Sequence, residues 1–94
     1  MDNAMPACEV TIINKLGLHA RAAAKFVGIA GRYACAVRIG RAPENLVDGK
    51  SIMAVMMLAA GKGTVIHLHT EGEQDREALE ALVQLINNRF DEDE

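Results

Sequence analysis

Gly17-Leu18-His19-Ala20-Arg21-Ala22-Ala23-Ala24-Lys25-Phe26-Val27-Gly28-Ile29-Ala30-Gly31 reads as a loop that turns into one amphipathic helix. Alanine is the strongest helix former, and it dominates the run from His19 to Ala30. Ala23, Phe26, Val27 and Ala30 recur at i, i+3, i+4 and i+7, the spacing of one apolar face. Gly31 suits the end of the helix because it accepts a left-handed backbone without a Cβ clash. His19 stands at the helix entry, and Arg21 follows it closely. The first turn of a helix carries unpaired N–H groups and the positive end of the dipole, which together favour phosphate and other anions. Imidazole is a nucleophile near neutral pH. A phosphoryl group formed on it here would be held by the helix end and by the Arg21 guanidinium.

Working outward, Val10-Thr11-Ile12-Ile13 is β-branched and partly alternating, which predicts a strand over 8–14. Asn14-Lys15-Leu16-Gly17 follows as a loop. Cys35, Val37 and Ile39 alternate with Ala36, Arg38 and Gly40, giving a second strand with one polar face. Arg41-Ala42-Pro43-Glu44 is a turn stiffened by Pro43, and 45–48 reads as a short third strand. The run 51–58 predicts a short helix ended by Gly61-Lys62-Gly63, and 64–70 a fourth strand with Ile66 and Leu68 on one face. A last helix is expected over 74–89, with Leu79, Leu82, Val83, Ile86 and Phe90 inward and Glu77, Glu80, Gln84 and Asn87 in water. The order βαββαβα predicts an α+β, two-layer sandwich with helices on one sheet face. Its open face would carry Glu9, Thr11, Arg38, His67 and His69. Pattern alone leaves the strand order undecided.

A chain of 94 residues holds one core, so 1–94 is read as a single domain, with 1–6 and 91–94 as flexible ends. Half of the residues are hydrophobic, yet Phe26, Tyr33 and Phe90 are the only aromatics, so aliphatic side chains and alanine must fill the core. A net charge of −3 supplies no basic stripe and argues against a nucleic-acid partner. Asp91-Glu92-Asp93-Glu94 reads as a solvated, frayed tail. Met1-Asp2-Asn3-Ala4 reads as an added or upstream-start segment, since Met5-Pro6-Ala7 would serve equally well as a beginning. The longest apolar run, 52–60, is too short to span a bilayer, and nothing resembles a signal peptide. Cys8 and Cys35 form no CxxC pair and lie near no histidine cluster, so they read as free thiols in a reducing cytoplasm. Gly49-Lys50-Ser51 is not a phosphate loop, because the glycine needed five residues earlier is Glu44. Ser51 reads instead as an N-cap, a contact of about 1 kcal/mol. His67 and His69 share a strand face, but no third ligand lies near them, and they read as solvent-facing rather than metal-binding.

Read together with Asp48-Gly49-Lys50-Ser51-Ile52-Met53-Ala54-Val55-Met56-Met57-Leu58-Ala59-Ala60-Gly61-Lys62-Gly63, the histidine segment resembles the histidine phosphocarrier (HPr) family of the bacterial phosphotransferase system. Members carry G-L-H-A-R-P-A, then K-S-[IL]-[MF] leading into L-x-x-x-x-G, and the match is collinear from Cys8 to Phe90. Ala22 departs from the family proline, which pre-sets the first-turn backbone angle. Asn14-Lys15-Leu16, Leu58 after a methionine pair, and Phe90-Asp91-Glu92-Asp93 are similar to the nitrogen-related branch (NPr), with the sugar-transport branch as runner-up.

The resemblance implies an antiparallel sheet in the order 1-4-2-3 with three helices on one face. Strands 1 and 2 are then not neighbours, which disfavours a Cys8–Cys35 disulfide. It implies that His19 is phosphorylated, on Nδ1, with the Arg21 side chain and the Ala20 and Arg21 backbone N–H groups stabilising the phosphate. It implies a regulatory phosphosite at Ser51 for a serine kinase, and a partner-binding patch of Ala20, Ala24, Ile52, Met53 and Met56. Flexible, polarizable methionine suits a surface that fits several partners. The partners would be enzyme I, charged by phosphoenolpyruvate, and an EIIA-type protein. The chain would be a cytoplasmic monomer without cofactor or metal, a carrier with a phosphohistidine intermediate rather than a stand-alone enzyme. Two other readings stand beside it: a regulatory binding module controlled at Ser51, and a small metal-binding domain using His67 and His69.

Overall fold

The computed structural model describes residues 6–94. The elements are β1 (Ala7–Thr11), α1 (Ala20–Ala30), β2 (Ala36–Gly40), β3 (Val47–Asp48), α2 (Ile52–Met57), β4 (Val65–Glu71) and α3 (Asp75–Asn87), with a 3-10 turn over Arg89–Asp91. All four strands form one sheet in the order β1-β4-β2-β3, each neighbour antiparallel. The expected α+β sandwich and its 1-4-2-3 order are both present.

Alternation along β4 decides which face is covered. Ile66, Leu68 and Thr70 point into the core, joined by Val10 from β1 and by Val37 and Ile39 from β2. The helices close this face with Ala22, Ala23, Phe26 and Ala30 from α1, Val55 from α2, and Ala78, Leu82, Leu85 and Ile86 from α3. Each large aliphatic or aromatic side chain buried there contributes about 1.5–3 kcal/mol. On the open face Glu9 lies opposite His67, and Arg38 opposite His69.

Several boundaries differ from those read in the sequence, each for a local backbone reason. The first strand was expected over 8–14 but ends at Thr11, paired with Val65 at the start of β4. Beyond that pair the chain preceding β4 turns through Gly63, at φ +91°. The second strand begins at Ala36 rather than Cys35, because its partner Glu71 is followed by Gly72 at φ +124°. The third is only Val47–Asp48. The last helix, expected over 74–89, starts after Gln74, which is left-handed, and stops at Asn87. It buries Ala78 and Leu85 as well, while Leu79 and Val83 are half-buried. Gly31 ends α1 in a right-handed conformation, φ −69°, so left-handed freedom is not its role. A Cβ there would meet the Val27 carbonyl oxygen at 3.3 Å.

The ends differ more. Arg89, Phe90 and Asp91 adopt left-handed angles, φ 57°, 53° and 64°, which turn the chain sharply and bury Phe90 completely. The segment 91–94, expected to fray in solvent, returns along the loop before α1. There Lys15 N–H donates to the Glu94 carbonyl at 2.6 Å, and Lys15 Nζ lies 3.2 Å from Glu94 Oε1. Of the expected flexible segment 1–6, Pro6 is buried and its carbonyl accepts from Thr70 N–H at 3.0 Å. The reading of Met1-Asp2-Asn3-Ala4 as an added segment lies outside the described residues.

The loop between β1 and α1 is anchored by backbone. Ile12 N–H donates to Thr64 O, Gly63 N–H to Ile12 O, and Leu18 N–H to Ala60 O at 2.8 Å. Gly17 has φ +70°, and a Cβ on it would stand 2.5 Å from the Ala60 carbonyl oxygen and 2.8 Å from Gly61 Cα. Backbone on both sides cannot yield cheaply. Gly17→Ala is expected to destabilise the fold by about 2–4 kcal/mol, from left-handed strain plus overpacking. Urea denaturation would measure this, and an unchanged midpoint would refute the close approach.

Candidate functional site

His19 is the N-cap of α1, with extended backbone at φ −75° and ψ −179°. Its Nδ1 accepts from Arg21 N–H at 3.3 Å. The ring is half-buried, with 27% of its side-chain surface exposed. Ala20 and Arg21, whose N–H groups were expected to line a phosphate position, occupy the first two positions of the helix, and both side chains are exposed. Ala22, in the place of the family proline, is fully buried and α1 forms around it without distortion. The capping reading and the nucleophile reading thus fall on one residue, and on one atom. A phosphoryl oxygen joined to Nδ1 can take over the N–H that the ring now accepts.

A residue not singled out in the sequence stands against the ring. Glu92 Oε2 lies 2.5 Å from His19 Nε2, and Glu92 Oε1 accepts from Asn14 Nδ2 at 3.0 Å. Asn14 Nδ2 also donates to the Gly17 carbonyl at 2.9 Å, tying the carboxylate to the loop that carries the histidine. Asn14 is fully buried. No local pattern announces Glu92, because it is separated from His19 by 73 positions and sits in a run of four acids.

The chain matches, over residues 7–88, the family model of the phosphorylation site of the HPr component of the phosphotransferase system (PTS). The chain belongs to the HPr family. It is 82% identical over 90 residues to the phosphocarrier protein HPr of Pseudomonas aeruginosa, covering 96% of this chain and all of that one. A solved HPr from Thermoanaerobacter tengcongensis superposes with a TM-score of 0.89 at 39% identity, covering 96% of this chain and 100% of that chain. The HPr of Bacillus anthracis superposes at 0.82 with 43% identity, over 89% of this chain and 99% of that chain. The phosphocarrier NPr of Klebsiella oxytoca is 38% identical over 84 residues, 89% of this chain and 93% of that one. The likeness to the nitrogen-related branch is therefore the weaker one, and relatives named HPr share far more of the sequence. This HPr-family chain is a phosphocarrier of the phosphotransferase system.

The expected contact residues lie at the surface. Ile52 and Met56 are each 40% exposed and Met53 68%, and Ala20 and Ala24 are exposed on α1. Val55 alone on α2 is buried, so the helix is not mostly core. Beyond the expected set, Met57 on α2 is 79% exposed and Leu16, on the loop before His19, 67%. Ser51 caps α2, its Oγ accepting from Ala54 N–H at 3.2 Å. Lys50 spends its ammonium on the Tyr33 carbonyl at 2.7 Å, a structural contact rather than a phosphate site.

Both cysteines are free; Cys35 is buried, and burial raises the Cys8 thiol above its ordinary value. His67 Nδ1 faces Glu9 Oε2 at 3.7 Å, and among the described residues no group of three His, Cys, Asp or Glu could hold a metal ion. Among the same residues no helix is long and apolar enough to cross a membrane.

Burial acts to raise the Glu92 carboxyl. The hydrogen bonds from Asn14 and His19, with the charges of His19 and Arg21, outweigh it and hold the group below its ordinary value. A carboxylate lowered in the folded state stabilises the fold above its unfolded value, about 4.3, and that stabilisation is lost as pH falls through the lowered value. The expected result is a Tm advantage of the wild type over Glu92→Gln near neutrality that disappears on acidification. Parallel Tm curves across that range would detach Glu92 from these partners.

Proposed function

We propose that His19 is the phosphoryl acceptor, charged by a phosphorylated enzyme I and discharged onto a histidine of an EIIA-type protein. The observation that supports this most is the placement of a half-buried imidazole as N-cap of α1, with Nδ1 accepting from the first-turn N–H of Arg21. In the transfer, the Nδ1 lone pair attacks phosphorus, and a phosphoryl oxygen accepts from the Arg21 N–H that Nδ1 vacates. The helix end favours that negative charge. Arg21 adds a guanidinium, whose fork matches phosphate oxygens. The chain supplies presentation and recognition, acting as a carrier with a phosphohistidine intermediate rather than as a stand-alone enzyme.

The higher identity to proteins named HPr supports the general, sugar-transport branch over the nitrogen-related one. The carrier works as a monomer in the cytoplasm, and its interfaces are small and short-lived so that each partner is released quickly. His19→Ala is expected to abolish labelling by enzyme I and phosphoenolpyruvate while leaving the fold intact. Arg21→Ala is expected to slow transfer roughly tenfold to a hundredfold, the equivalent of a charge-assisted contact of about 1.5–3 kcal/mol. Full labelling of His19→Ala, read as acid-labile phosphate by intact mass, would overturn the assignment.

Docking uses the exposed apolar side chains of Ile52, Met53 and Met56 together with Ala20 and Ala24. Ser51 borders this patch at the cap of α2, where phosphorylation by a serine kinase would regulate it. A negative charge at the cap suits the helix, by a few tenths to about 1 kcal/mol, but it must be desolvated or face like charge in the interface. Ser51→Asp is therefore expected to keep or slightly raise Tm while weakening enzyme I binding. Met53→Asp is expected to weaken binding without the gain at the cap. Equal affinities of both variants and wild type in a titration would place docking elsewhere.

A further inference from the structure

The carboxylate held against His19 has no task in the transfer described so far. It is well placed for one. Glu92 is bonded through both oxygens, one to His19 Nε2 at 2.5 Å and one to buried Asn14 at 3.0 Å. Only 15% of its side-chain surface is exposed. The segment that delivers it is anchored before and after. Phe90 is buried with its carbonyl accepting from Lys25 Nζ at 2.9 Å, and Glu94 is bonded through its carbonyl to Lys15 N–H. Such a contact is more than a loose surface ion pair.

The two ring nitrogens of His19 face opposite demands. An ionised carboxylate only accepts, so the nitrogen facing Glu92 must carry the proton. A backbone N–H only donates, so the nitrogen facing Arg21 must present its lone pair. One neutral tautomer satisfies both, with hydrogen on Nε2 and the lone pair on Nδ1.

We infer that Glu92 is a positioning residue for phosphoryl transfer, holding His19 as the Nε2–H tautomer and facing the positive charge that develops on its ring. This rests on His19 being the acceptor. In the step, the Nδ1 lone pair forms the new N–P bond. The bond between phosphorus and the nitrogen of the phosphoramidate donor breaks, and its electron pair stays on that donor nitrogen. Nε2 keeps its proton, so positive charge builds on the imidazole against the Glu92 carboxylate. On discharge the N–P pair returns to Nδ1 and the same tautomer is restored, with no proton lost or gained.

The carboxylate also repels the incoming phosphoryl group, and the two effects compete. Glu92 touches the ring nitrogen remote from the bond being formed, whereas the phosphoryl group arrives at Nδ1 beside the helix end and Arg21. Coulomb energy falls with distance, so attraction to the adjacent ring outweighs repulsion of the more distant phosphoryl oxygens.

The test combines imidazole 15N NMR with transfer kinetics on the full chain, comparing wild type, Glu92→Ala and Glu92→Gln, with His19→Ala to assign the signals. At about pH 8, where free imidazole is neutral, the wild type should show the Nε2–H pattern for His19. Glu92→Ala leaves only the Arg21 N–H to select the tautomer, so the Nε2–H fraction should fall measurably, and transfer from phosphorylated enzyme I should be about tenfold slower. Glu92→Gln retains an accepting oxygen and should keep the tautomer and lose less rate. An unchanged tautomer in Glu92→Ala overturns the inference whatever the rate, and so does faster transfer, which would make the tail a barrier. Failure of wild-type His19 to be labelled at all is a separate result, one that removes the carrier reading and leaves the tautomer measurement standing.

Discussion

Pairing of β4 on both of its edges is the constraint on which this structure depends. Its inward side chains Ile66, Leu68 and Thr70 are buried under the helices, while its backbone bonds to β1 on one side and β2 on the other. Because β1 is held on β4 only as far as Thr11 and Val65, the chain leaves the sheet there and bonds back to Thr64, Gly63 and Ala60. That anchored path delivers His19 to the start of α1. The histidine is thus positioned by the sheet, through backbone bonds whose one strict demand on the side chains is glycine at position 17. Loops that carry function on a rigid scaffold usually work this way.

A second consequence concerns charge. The start of α1 has no acidic residue in its first turn, so its dipole is answered by the imidazole of His19 and, through the ring, by Glu92. The Glu92 carboxylate lies on the Nε2 side of the ring, and the positive helix end, with the Arg21 N–H, lies on the Nδ1 side. The exposed apolar side chains of α2 occupy the part of the helix that the core does not use, since Val55 alone is buried there.

Much of the architecture was legible in the residues. Period-two alternation in 36–40 and 65–71, and the apolar stripes of the first and last helices, are local signals that survive folding because burial follows them. The order βαββαβα followed from them, and the strand order came from the family resemblance rather than from periodicity. His19 and Ser51 were visible as helix caps because helix entry is itself a local event with local chemistry. The ends of elements were less visible. They are set by single backbone torsions, as at Gly63, Gly72 and Gln74, and by where a partner strand stops.

The acidic tail marks the limit of a sequence reading. By itself the sequence determined a helix start bearing a nucleophilic histidine, an arginine beside it, and a run of acids with no evident place in the core. Only the tertiary structure placed one of those acids, Glu92, against the histidine. Phe90 must be buried, and three consecutive left-handed residues, Arg89, Phe90 and Asp91, let it turn inward and send the chain back toward Asn14 and His19. Left-handed angles at non-glycine residues cost energy locally, so no propensity foretells them; long-range burial alone makes them favourable.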